Sequence, residues 1–258
     1  MKLQSFQPPV SLSNYVHSIT VLEDDALKAD CIIPLIAKGY PSITFQVTAP
    51  GVNNNDCLVL YGQNLKPFEF YASEHLTIIA YFLHPHVLHN FFGFSAHEVT
   101  DMCIDLSLMQ PARPMGLKER LLNETALETR LQLMNNYIAT LAQSLHTQLN
   151  GAVTFATQTI LRNNGLASLK SIHHELGVTE RTFQRLFEFH VGVSPKMFSR
   201  ICQFNSAFEQ LSNKRFDKLS DIAYDNGYAD QSHLIRVFKE FTNVGPKEYL
   251  RLSSEFEN

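Results

Sequence analysis

The sequence predicts two domains. Residues 1–150 read as an α+β domain, β-rich and then helical; residues 152–258 read as an all-α domain containing two helix-turn-helix units. Three observations carry this. Up to about residue 93 the chain is dominated by short runs of β-branched and aromatic residues between turn signals. From Ala152 onward only helical periodicity and short turns remain. Within that helical region a single design occurs twice.

The strand-like runs are "SITFQVT" (42–48), "CLVLYG" (57–62) and "LTIIAYFL" (76–83). Their Val, Ile, Thr, Phe and Tyr suit a pleated, half-buried surface. Turns are signalled by "APGVNNND" (49–56) and "NLKPF" (64–68). Ser95 followed by Glu98 has capping-box spacing, in which each side chain satisfies a free backbone N–H, and predicts a helix start. "PARPMG" (111–116) breaks the chain, and a single helical segment is expected over 117–149. There Leu127, Leu131, Met134, Ile138, Leu141 and Leu145 step by 4, 3, 4, 3 and 4. This narrow apolar seam serves either the domain's own core or a homodimer contact through 127–145, and a homodimer is the expectation. Asn150–Gly151 is the predicted hinge.

The repeated design is "LKSIHHELGVTERTFQRLFEFHVGVSPKMF" (169–198) and "LSDIAYDNGYADQSHLIRVFKEFTNVGPKEY" (219–249). Leu169, Ile172 and Gly177 match Leu219, Ile222 and Gly227; Thr179, Phe183, Arg185, Phe187, Pro195 and Phe198 match Asp230, Leu234, Arg236, Phe238, Pro246 and Tyr249. Each copy reads as helix, turn, helix. Ser168 and Asp217 are the predicted caps of the first helices, Thr179 and Asp230 of the second. Gly177 and Gly227 fall where a helix ends and the chain needs a positive φ. Pro195 and Pro246 open the next helices.

In each second helix an aromatic side is available for burial and a polar side is left over. The leftover row is Glu180, Arg181, Gln184 and Arg185 in the first copy, and Gln231, Ser232, Ile235 and Arg236 in the second. Arg and Gln can pair bidentately with base edges in the major groove, and Ile can meet a thymine methyl. A helix N-terminus accepts phosphate. One such unit would pass for an ordinary helical bundle with a solvated face. Two at matched spacing, each with an outer Arg, argue for a shared contact role with double-stranded DNA.

No apolar run approaches ~18 residues, so no membrane span is expected. The N-terminal "MKLQSFQPPVSLSNYV" lacks the apolar centre of a secretion signal. Cys31, Cys57, Cys103 and Cys202 form no C-x-x-C, which predicts reduced thiols and a cytoplasmic setting. The net charge of −4 is uneven: residues 1–151 carry 8 Lys/Arg and 13 Asp/Glu, residues 152–258 carry 13 and 12. DNA binding must therefore depend on where the charges sit rather than on their total.

The string "DIAYDNGYADQSHLIRVFKEF" (221–241), with "GPKEYLR" (245–251) behind it, resembles the signature of the AraC/XylS family of bacterial transcription regulators. The resemblance covers 152–251, the family's DNA-binding domain. It implies subdomains at about 168–190 and 218–241 on either side of a linker helix at about 195–212. It also implies that both recognition helices enter successive major-groove faces on one side of the duplex, ~34 Å apart. Position by position it carries base contact to Arg181, Gln184 and Arg185, and to Gln231, Ser232 and Arg236; Ile235 joins them from the outer row. His173 departs from the family's small residue, and Asn243 and Gly245 depart from its usual Gly and Ser/Thr before Pro246, which weakens the expected cap of the last helix. The N-terminal domain resembles the family's sensory or oligomerisation domains only in outline. A small-molecule effector there and RNA polymerase are the further partners the resemblance leaves open.

Two N-terminal features compete with this picture. His84, His86 and His89 in "HPHVLHNFF" offer imidazoles to a metal, but no Cys or acid stands close by to finish a site. "FFGF" (91–94) could line an apolar pocket. Asp101 and Asp105 fit capping as well as chemistry, and no nucleophile triad, P-loop or dinucleotide fingerprint occurs. The expectation is a non-enzymatic regulator without a metal or cofactor. The alternative is a metal-binding or enzymatic N-terminal domain targeted to DNA by the C-terminal unit.

Overall fold

The computed structural model describes residues 2–35, 39–48, 56–110, 112–113, 115–144 and 149–256, with the backbone alone for 25–35, 68–75 and 252–256. Among these, six strands form one sheet: β1 (Lys2–Phe6), β2 (Val16–Leu35), β3 (Ser42–Thr48), β4 (Cys57–Tyr61), β5 (Phe68–Leu83) and β6 (Cys103–Asp105). Their order is β1-β2-β5-β3-β4-β6, and every neighbouring pair is antiparallel. The three runs expected from the sequence are β3, β4 and the end of β5. β2 is masked in the sequence by its charged stretch around Glu23, Asp24 and Asp25, where its register against β5 slips. The expected turn at 49–55 and the side chain of Cys31 lie outside the described residues.

Alternation along the strands makes two different faces. Ile43, Phe45, Leu58, Leu60, Ile79 and Tyr81 enter the main N-terminal core. On the other face Ser42, Thr44 and Gln46 lie opposite Phe82, Ala80 and Ile78. There Gln46 donates to the Tyr61 hydroxyl (3.2 Å) and accepts from the Cys57 thiol (3.2 Å).

After the sheet come α1 (Leu88–Phe92), a 3₁₀ helix (Ala96–Val99), α2 (Leu117–Asn123) and α3 (Leu127–Gln143). Ser95 and Glu98 do form a capping box. The single helix expected over 117–149 is instead broken between α2 and α3. Glu124 is extended there, and its carboxylate accepts from the N–H groups of Thr125 (2.9 Å) and Ala126 (3.0 Å), replacing the helical bonds lost at the break. The break lets α3 lie on the sheet, where the Tyr81 hydroxyl reaches Leu131 O (3.1 Å) and Asn135 Oδ1 (3.0 Å).

This corrects the reading of the 127–145 seam. Met134, Ile138 and Leu141 are buried in the chain's own N-terminal core, with Leu127 and Leu131 packed partly against it. Among the described residues of the stripe, Met134, Ile138 and Leu141 are used internally and are not available as a homodimer surface. Leu145 lies outside the described residues.

The C-terminal domain holds α4 (Gly151–Arg162), α5 (Leu169–Glu175), α6 (Glu180–Val191), α7 (Pro195–Ser212), α8 (Leu219–Asp225), α9 (Gln231–Thr242) and α10 (Pro246–Phe256). Asn150, expected as a hinge, caps α4 by accepting from the N–H groups of Ala152 and Val153. Two cores share α7. Phe198 and Cys202 enter the first with Ile160, Ile172, Phe183 and Phe187; Ile201 and Phe204 enter the second with Ile222, Leu234, Phe238 and Phe241. At Gly165 (φ 78°) a Cβ would run into the Ser199 carbonyl and the Gln203 N–H, so the α4–α5 turn sits directly on α7.

The two domains touch along a polar and aromatic seam. Thr100 Oγ1 donates to Gly192 O (2.7 Å), His97 Nδ1 lies 3.3 Å from the same oxygen, and Ser95 Oγ reaches Phe189 O (3.4 Å). His86 Nδ1 lies 3.3 Å from Thr157 Oγ1 on α4. Leu65 packs against both C-terminal cores, its loop held by Asp101, whose Oδ1 accepts from the N–H groups of Leu65 (2.6 Å) and Lys66 (3.2 Å).

Candidate nucleic-acid interface

Each second helix begins at a side-chain cap. Thr179 Oγ1 accepts from Thr182 N–H (3.2 Å) at α6, and Asp230 Oδ1 accepts from His233 N–H (2.7 Å) at α9. Such caps are worth about 1 kcal/mol each and fix where the helix starts. The turns before them use Gly177 (φ 64°) and Gly227 (φ 71°) in the left-handed conformation that only glycine adopts without penalty. Ser168 caps α5 by accepting from Ser171 N–H. At α8 the expected cap Asp217 is displaced: Lys218 is the N-cap residue, and its N–H donates to Asp221 (2.8 Å). The acid three residues on does the work expected of the residue before.

Both helices are then held by one side. Phe183 and Phe187 are buried on α6, and Leu234, Val237, Phe238 and Phe241 on α9. Phe204 of α7 stacks on Phe241 (4.8 Å) and meets Phe238 edge-on (5.6 Å). Arg200 of α7 pairs with Glu240 of α9 at 2.8 Å. The left-handed C-caps are Gly192 on α6 and Asn243 on α9 (φ 63°), so Asn243 does the glycine's job with a side chain that tolerates that conformation. Thr242 Oγ1 donates to Val244 O (2.9 Å) in the turn before Pro246. His173 is accommodated by a contact of its Nδ1 with Val178 O (3.2 Å) and by its ring lying against Phe183.

The structure places the row residues on the opposite side. Arg181, Gln184, Arg185, Gln231, Ser232 and Arg236 are exposed, and Ile235 is half-buried. Gln184 Nε2 donates to Glu188 Oε1 (3.0 Å), one turn on. Around the start of α9, Ala229, Asp230, Ser232, His233 and Arg236 line an open depression. The partners that sequence reasoning missed are Glu188, which engages Gln184, and Gly192, which ties the end of α6 to Thr100. An i, i+4 Gln–Glu spacing was there to be read; nothing local pointed to Thr100, 92 residues away.

The N-terminal candidates separate. His84 Nε2 lies 3.1 Å from Ser13 O, His86 faces Thr157, and His89 Nδ1 lies 3.0 Å from Phe94 O. Among the described residues no group of three or more His, Cys, Asp or Glu is arranged to hold a metal ion. Phe91, Phe92 and Phe94 of "FFGF" pack on the N-terminal core. Asp101 and Asp105 serve as local acceptors, the latter for Ser107 N–H and Oγ. Burial pushes the Cys57 thiol up to about 11 and the Cys202 thiol up to about 12, away from a reactive thiolate. No described helix is long and apolar enough to cross a membrane.

Comparison with known proteins finds matches in both parts of the chain. Residues 172–252 match a helix-turn-helix domain family, and residues 4–105 match a domain of unknown function, DUF6597. An uncharacterised HTH-type transcriptional regulator of Haemophilus influenzae is 33% identical over 76 residues, 29% of this chain; the chain spans about a quarter (25%) of that relative's length. The C-terminal domain of AraT, a response regulator from Geobacillus stearothermophilus, is similar over 41% of this chain and 88% of its own, at 24% identity and a TM-score of 0.38. ToxT from Vibrio cholerae is similar over 97% of this chain and 98% of its own, at 14% identity and a TM-score of 0.49. The paired units and matched caps of the C-terminal region thus coincide with its match, over residues 172–252, to a helix-turn-helix domain family.

Proposed function

We propose that the chain is a sequence-specific DNA-binding transcription regulator without enzymatic activity. Arg181, Gln184 and Arg185 of α6 and Gln231, Ser232, Ile235 and Arg236 of α9 read bases, while helix N-termini and surrounding Lys and Arg fix the register on phosphates. The observation that carries this is the two-sidedness of α6 and α9: their aromatic sides are buried, and their polar rows are left to solvent.

The N-terminal domain belongs to the same proposal as the place of a small-molecule effector. Buried Thr44, Gln46 and Tyr61 beside Leu76 and Ile78 support this, since few polar groups on an apolar surface suit ligand recognition. A homodimer through some surface other than the α3 seam and a contact with RNA polymerase rest on the family resemblance, and a cytoplasmic setting rests on the cysteine pattern.

Selection from randomised duplexes tests the reading. The full chain is expected to enrich a defined motif. Arg236→Ala is expected to relax one position of it, with about 1–3 kcal/mol of discrimination lost there and circular dichroism unchanged. An unchanged motif for both Arg185→Ala and Arg236→Ala overturns the assignment.

A further inference from the structure

We propose that the histidine-lined contact between the two domains is an acid-sensitive clasp, closed on the end of the first recognition helix while His86 and His190 are neutral and released when they gain protons. Five histidines line it from both sides, one of them His97, which meets Gly192 O. His84 and His86 come from the bend after β5, with ring centroids 5.8 Å apart, and His89 from α1. His190 comes from α6 and stands edge-on to His89 at 5.3 Å. His86 is 4% exposed and His190 8%. Phe189, beside His190, tilts against His89 at 4.6 Å.

These groups are poorly placed to carry charge. His86 faces Thr157 of α4, and the titratable groups that bear on it are His84 and His190, both imidazoles. His190 has a buried Nδ1 with no hydrogen-bond partner and feels His89. The carboxylates on the packed elements are occupied or distant: Glu98 takes Ser95 N–H, Glu188 takes Gln184, and Glu180 stands at the far end of α6. α4 carries no acid. A proton gained here meets a second imidazole instead of a carboxylate.

Burial, then the neighbouring histidines, hold His86 down at about 4, and burial lowers His84 and His190. When the domains separate, His86 and His190, which meet the opposite domain at Thr157 and His89, regain water and the ordinary histidine value of 6.5. The open form then binds more protons than the closed form below that value. The clasp is therefore fully stable above about pH 6.5 and loses stability as the pH falls toward 4. For His86 alone, the closed-to-open ratio falls ~10-fold between about pH 8 and about pH 5.5. What is released is the end of α6, held by Thr100, His97 and Ser95 through Gly192 O and Phe189 O.

Hydrogen exchange of the full chain without DNA tests this independently of the DNA-reading proposal. Protection factors, which correct for intrinsic pH effects, are compared at about pH 8 and about pH 5.5 for segments 84–100 and 186–193. The native chain is expected to lose ~10-fold protection there at the lower pH, while 42–48 and 234–241 keep theirs. His86→Gln, which keeps a hydrogen-bonding side chain without a titrating ring, is expected to lose most of that response. His190→Gln is the second variant should the first not fold, and it is expected to blunt the response. Equal protection at both pH values in the native chain, a uniform loss across all segments, or an undiminished response in both variants overturns the clasp.

Discussion

Replacing Phe204 by Ala is expected to destabilise the C-terminal domain by about 3–5 kcal/mol. Phe204 is fully buried on the linker helix α7 and contacts the rings of Phe208, Phe238 and Phe241. No single neighbour can collapse into the space it leaves, because Phe238 and Phe241 are fixed on α9 and Phe208 is already packed against Tyr249. The consequence reaches function through geometry. Phe204 is an anchor by which α7 holds α9, the proposed second recognition helix, so DNA affinity is expected to fall while the exposed row itself is untouched. Urea denaturation followed by circular dichroism measures the loss. A change below about 1 kcal/mol would mean that α9 is held by something other than this aromatic cluster.

Ile138→Asp is expected to be at least as severe, at about 4 kcal/mol or more, and to act on the other domain. Ile138 is 0% exposed in the core between α3 and the sheet. A carboxylate placed there either stays charged without a partner or takes up a proton and is still unsatisfied. The two roles of the 127–145 seam give opposite results. An internal seam predicts an unfolded or aggregated N-terminal domain, seen as loss of the cooperative transition. A dimer seam predicts a folded monomer by analytical ultracentrifugation, and that result would contradict the burial of Met134, Ile138 and Leu141.

Much of the C-terminal domain could be read from the chain because its signals are local. Caps, turn glycines and paired aromatics sit within a few residues of one another, and the second copy repeats the first. Thr179, Asp230, Gly177 and Gly227 each do locally what their chemistry suggests. The misses have physical causes too. Lys218 starts α8 because Asp221 reaches back to its N–H, so the acid before the helix has no role as its cap. Glu124 ends α2 by bonding the next two N–H groups, a local event that the longer apolar seam concealed. β2 alternates poorly where its charged residues coincide with register slips. The seam between the domains depends on pairs such as Thr100 with Gly192 and His86 with Thr157, which only the folded chain brings together.

The central claim is that α6 and α9 read one duplex from one side, and spacing tests it most directly. Once a motif with two blocks has been selected, inserting ~5 bp between them turns one block about half a helical turn away from the other. Affinity for the altered duplex is predicted to fall to that of a duplex carrying a single block. Undiminished binding to the altered duplex would contradict the claim, because two helices fixed on one rigid α7 cannot follow blocks that have moved to opposite faces.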